Sequence, residues 1–100
     1  MTNTTKMKNI KFIPIHPGEI LQDALDSSDI TQMALAMHIG VTQSKINDIC
    51  RGRRGISAQM AAKLGKAFNQ STEFWYNLQK QYEIDSLDDS EFENIETIAA

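Results

Sequence analysis

Between His16 and Ile84 the apolar residues fall into five clusters with helical spacing, separated by short polar breaks. Ile20, Leu21, Ala24 and Leu25 share one face of a first helix, opened by His16-Pro17-Gly18-Glu19 and ended by Ser27, Ser28 and Asp29. Proline suits a first helical position because its missing N–H would be unpaired there anyway, and Glu19 complements the helix dipole. A second helix is expected from about Thr31 to His38, with Met33, Ala36 and Met37 facing inward and Ala34 allowing close contact. Ile39 and Val41 bracket a tight turn at Gly40. A third helix follows from about Gln43 to Arg51, where Ile46, Ile49 and Cys50 recur at i, i+3 and i+4 as a buried stripe. Thr42 suits its N-cap, and Gly52 is placed to stop it in a left-handed conformation. Ser57 caps a fourth helix carrying Met60, Ala61, Leu64, Ala67 and Phe68, broken at Asn69 and Gln70. Ser71 caps a fifth, with Phe74, Trp75, Leu78 and Tyr82 on its face. Phe74 and Leu78 are expected in the core, and Trp75 and Tyr82 at a dimer or partner interface. The pattern predicts an all-α, five-helix domain.

Helices two and three, joined at Gly40, have the layout of a helix-turn-helix, which places its second helix in the DNA major groove. Between the apolar anchors of helix three stand polar residues that point the other way. Thr42, Gln43, Ser44 and Asn47 are candidates to touch base edges. Glutamine and asparagine can bind adenine with both ends of the amide, and serine can bond to several bases. The plainer reading is a solvated first turn. Asp48 either accepts from a cytosine amino group or pairs with Arg51 one turn on, and the pair is favoured. Gln32, Lys45, Arg51, Arg53 and Arg54 are candidate phosphate contacts, which position a duplex without reading its sequence. The alternative for the arginines is a solvated loop or pairing with the acidic C-terminus.

Charge divides the chain. Up to Tyr82 there are ten basic and six acidic residues, a net +4; from Glu83 there are seven acids and no base, a net −7, which together give the −3 of the whole chain. The expected organisation is therefore an N-terminal arm over residues 1–15, the helical domain over 16–84 and an acidic tail over 85–100. Acidity predicts disorder for an isolated tail. Phe92, Ile95 and Ile98 nevertheless suit one face of a short helix formed on a partner or on the body. Lys6, Lys8 and Lys11 precede no apolar run of signal-peptide type, no stretch is long enough to span a bilayer, and a cytoplasmic location is expected. Cys50 stands alone in an apolar stripe, so a small core residue is favoured over a reactive thiol. His16 and His38 lack further ligands at metal-site spacing, so neither metal nor cofactor is expected. No nucleophile motif or glycine-rich phosphate loop appears, and catalysis is not expected.

The segments HPGEIL (16–21), TQMALA (31–36), GVTQSKINDICRGRRGIS (40–57), MAAKLGKAF (60–68) and FWYNLQKQYEI (74–84) together resemble the HigA-type antitoxin family, part of the larger group of Cro/C1-type helix-turn-helix proteins. The resemblance implies a five-helix domain that dimerises and binds double-stranded DNA at a palindromic operator in its own promoter. It also implies a second partner, a small basic toxin of the RelE-like ribonuclease type (HigB). Asp48 departs from the neutral donor common in the wider group, and the tail after Asp85 lies outside the shared pattern. The alternatives are a stand-alone regulator without a toxin, or a protein-binding module that no longer binds DNA.

Overall fold

The structure is a computed structural model and describes residues 13–99. The described residues form five α-helices: α1 (Pro17–Ser28), α2 (Gln32–Ile39), α3 (Gln43–Cys50), α4 (Ala58–Phe68) and α5 (Thr72–Asp85), followed by a 3₁₀ turn at Asp89–Glu91. The expected arm over residues 1–15 lies mostly outside the described residues.

Every helix start is fixed by a local side-chain cap. Thr31, Thr42, Ser57 and Ser71 accept hydrogen bonds from the N–H groups of Ala34, Lys45, Met60 and Phe74. Such caps satisfy donors that the first helical turn leaves open. His16 does the same for α1, its Nδ1 accepting from the Gly18 N–H at 2.9 Å, with Pro17 as the first helical residue. The ends are equally local. Asp29, Gly40, Gly52 and Asn69 all have left-handed backbone.

The core joins all five helices through Leu21, Leu25, Leu35, Ala36, Ile46, Ile49, Ile56, Met60, Ala61, Leu64 and Trp75. α3 packs on α1 and α2, α2 also packs on α4, and α5 lies along α4 and reaches α1. At the crossing of α1 and α3 the two backbones nearly touch. A Cβ on Gly18 would lie 1.8 Å from the Ile49 carbonyl oxygen, so only glycine lets these helices approach so closely.

Two sequence expectations are corrected. Met33 and Met37 were expected inside but are 54% and 77% exposed; Ala36 is buried as expected, and Leu35 joins it in the core. α2 is apolar on nearly every face, so its periodicity does not select the inward one. On α5, Trp75 is 1% exposed and Phe74 41%. Trp75 therefore has no surface to offer an interface and belongs to the core, packed against the rings of Phe68 and Phe74. The true stripe runs Trp75, Leu78, Gln79 and Tyr82, with a polar residue at its centre. Leu78 packs against the core as expected.

Candidate nucleic-acid interface

α3 is held from behind by Ile46 and Ile49, both fully buried, while Thr42, Gln43 and Ser44 stand exposed at its N-terminus. The Thr42 oxygen caps the helix by accepting from the Lys45 N–H at 3.1 Å, which leaves its hydroxyl hydrogen free to donate outward. Gln43 and Ser44 thus project from a turn whose position is set by the core.

Asn47 and Gln32 are half-buried and joined to each other. Asn47 Nδ2 donates to Gln32 Oε1 at 3.1 Å, and Gln32 Nε2 donates to Gln22 Oε1 at 2.9 Å. Gln22 Nε2 in turn donates to Asp26 at 2.8 Å. This amide relay ties α1 to both helices of the helix-turn-helix. It leaves the Asn47 side-chain oxygen and one Gln32 amide hydrogen available for a further partner. Gln22 was not singled out by its sequence context.

After α3 the chain folds back on the helix end. The Arg53 and Arg54 N–H groups both donate to the Asp48 carbonyl oxygen, at 2.8 and 3.2 Å, and the Arg51 N–H donates to the Asn47 carbonyl at 2.9 Å. Asp48 thus contributes through its main chain. Gly52, at φ +77°, supplies the left-handed residue that this reversal needs. The side chains of Arg51, Arg53 and Arg54 are exposed on a loop pinned by its own backbone. Gln79 of α5 adds a second pin, its buried Oε1 accepting from the Ile56 N–H at 2.8 Å while Nε2 donates to Glu83 at 2.9 Å. Sequence reasoning passed over Gln79 because a glutamine interrupts the apolar pattern.

Lys45 and Arg54 converge with Lys63, Ser57 and Gln59 on a small cleft at the start of α4. Lys63 and Gln59 were not among the expected contacts. On the far side of the loop, the His16 ring lies within 4 Å of where a Gly52 Cβ would be and meets Tyr82 edge-on, with centroids 4.8 Å apart. Tyr82 is half-buried and braces the α1 start, leaving part of its ring accessible. Burial pushes the His16 imidazole below its ordinary value of 6.5, against a weaker opposing effect of Glu19. Burial raises the Cys50 thiol, with Asp26 acting in the same sense, so Cys50 is not primed as a thiolate. Among the described residues no cluster of three or more His, Cys, Asp or Glu is arranged to hold a metal ion. No helix there is long and apolar enough to cross a membrane.

This arrangement defines a helix-turn-helix protein, and the helix-turn-helix family matches residues 21–75. Comparison with known proteins narrows the class. The Pseudomonas aeruginosa antitoxin HigA, solved with the higBA promoter, is 43% identical, with a TM-score of 0.81 over 87% of this chain and 100% of that one. Antitoxin HigA-1 of Vibrio cholerae is 34% identical over 73% of this chain and 70% of its own length. Virulence-associated protein A′ of Dichelobacter nodosus is 41% identical over 82% of this chain and 69% of its own. The chain belongs to the Cro/C1-type helix-turn-helix proteins and, within them, to the HigA-type antitoxin family.

Proposed function

We propose that this protein binds the promoter of its own operon as a dimeric repressor and neutralises a small basic ribonuclease toxin of RelE-like type. The observation that carries the DNA half is the exposure of Gln43 and Ser44 at the N-terminus of a core-anchored α3, flanked by the pinned arginines. In this reading Gln43 and Ser44 read base edges, with Thr42 and Asn47 beside them. Lys45, Arg51, Arg53, Arg54 and the free Gln32 amide hydrogen hold phosphates. Gln32 and Asn47 also position α3 through their relay to Gln22. Two-fold pairing sets two α3 helices about 34 Å apart, one per half-site of a palindrome. Tyr82 retains a place at the partner surface. The toxin half is supported by membership of the antitoxin family, and in this reading the protein acts by binding rather than by catalysis.

The test has two arms. Binding to a fragment of the chain's own promoter, followed by fluorescence anisotropy, is expected to weaken by about three orders of magnitude from 50 to 200 mM salt if the dimer makes six or more phosphate contacts. Salt-insensitive binding, or none, refutes the repressor. Co-expression with a small basic open reading frame, where one lies beside the gene, is expected to yield a stoichiometric complex. Operator binding without such a complex leaves a stand-alone regulator.

A further inference from the structure

Among the described residues, one face of α2 has no neighbouring element. Ile30, Met33, Ala34 and Met37 are all exposed, although α2 is apolar nearly all round, a composition usual for helices covered on every side. Beside this face a shallow opening of about 280 Å³ separates α2 from the end of α4, lined by Ile30, Ala34, Leu35, His38, Ala67 and Phe68. Its rim continues past His38 to Lys63 and Lys66. The groove is therefore apolar at its floor and basic at its edge.

The C-terminal segment has the opposite make-up. Phe92 and Ile95 are 45% and 74% exposed, interleaved with Glu91, Glu93 and Glu96. The segment forms no helix over residues 92–99. One 3₁₀ turn, held by Glu91 N–H to the Asp88 carbonyl and Phe92 N–H to the Asp89 carbonyl, leaves Phe92 partly exposed. An apolar ladder between acids matches an apolar floor edged by lysines in polarity and charge.

The two features stand apart within one molecule. Phe68 packs on Trp75 near the start of α5, whereas Tyr82 near its end meets His16. Phe92 is not among the residues that line the opening, and the ten steps from Trp75 to Asp85 set the start of the tail about 15 Å along α5 from Trp75 at the helical rise of 1.5 Å per residue. We propose that the α2–α4 groove receives the C-terminal segment of a second copy of this chain. Phe92 occupies the opening, and Glu91 and Glu93 face Lys63 and Lys66. Reciprocal exchange satisfies both grooves of a two-fold pair and leaves no unfilled groove to propagate a chain. The contact rests on the dimeric reading proposed above, whereas operator binding through α3 and capture of a toxin are measured separately from it.

The test uses the full chain with a photoreactive benzoylphenylalanine in place of Phe92. Isotopically heavy and light preparations are mixed, irradiated and mapped by mass spectrometry. Heavy–light cross-links from position 92 to residues 30–38 or 67–68 are expected. Ala34→Glu, which sets a carboxylate at the groove on an exposed position, is expected to lower their yield at least tenfold while leaving the helical circular dichroism unchanged. Cross-links confined to one chain, mapped to another face, or absent at the highest soluble concentration overturn the proposal. So does an unchanged yield with Ala34→Glu.

Discussion

Replacing Gly18 by alanine puts a methyl group into the crossing of α1 and α3. The added Cβ would lie 1.8 Å from the Ile49 carbonyl oxygen, 2.7 Å from its carbonyl carbon and 3.0 Å from Cys50 Cα. A carbon–oxygen contact settles near 3.3 Å, so the helices must separate by roughly 1.5 Å. All three colliding atoms are backbone, so no side-chain rotation relieves them. Overpacking costs about 1–3 kcal/mol where side chains can adjust, and here the cost reaches about 3 kcal/mol or more. Helix propensity acts in the other direction, favouring alanine over glycine by about 1 kcal/mol. The net loss is at least about 2 kcal/mol, which lowers the melting temperature by about 8–16 °C for a domain of this size. Thermal unfolding followed by circular dichroism at 222 nm measures it (a wavelength set by the peptide chromophore, roughly the helical minimum). Because α3 is displaced, operator binding is also expected to weaken at temperatures where the variant is folded. A melting temperature equal to or above that of the parent protein refutes the close backbone approach, since propensity alone would then account for the result.

Three further outcomes follow from the same geometry. Gln79→Ala leaves the Ile56 N–H without its buried acceptor, so a loss of about 1–3 kcal/mol is expected in urea unfolding, and a change below half a kcal/mol contradicts the pin on the arginine loop. Gln43→Ala is expected to cost about 1–3 kcal/mol of operator affinity and to relax preference at one base position; Arg53→Ala should instead weaken all sequences alike and flatten the salt slope by about one unit, so equal patterns for both variants would undo the assignment. For His16, burial makes the folded state bind a proton less readily than the unfolded chain, and the Gly18 cap requires a neutral Nδ1. Its contribution to stability is therefore complete above the ordinary value of 6.5 and is lost as pH falls below that through the lowered folded-state value. His16→Asn, which can cap but not titrate in this range, should show a smaller drop in stability between pH 7.5 and 5, and matching drops in both proteins would rule the mechanism out.

The linear order of residues determined the helix ends and, through them, the helix-turn-helix. Caps at His16, Thr31, Thr42, Ser57 and Ser71 and left-handed stops at Gly40, Gly52 and Asn69 bond only to residues a few places away, so their signals are complete within a short window. The exposed Gln43 and Ser44 and the buried Ile46 and Ile49 were legible for the same reason, since α3 has a single apolar stripe. Tertiary structure alone decided the rest. α2 offers apolar residues on nearly every side, and only packing against α3 and α4 selected Leu35 over Met33 and Met37. On α5 the angle of approach to α4 turned Trp75 inward and Phe74 outward, one residue or about 100° apart on the helix. Gly18, Gln79 and the Gln22–Gln32–Asn47 relay owe their roles to partners 10 to 31 positions away in the chain, as with Gln32 to Gln22 and Gly18 to Ile49. A short window of sequence carries the propensity and the cap, whereas the distance between two backbones and the pairing of two amides exist only once the helices have packed.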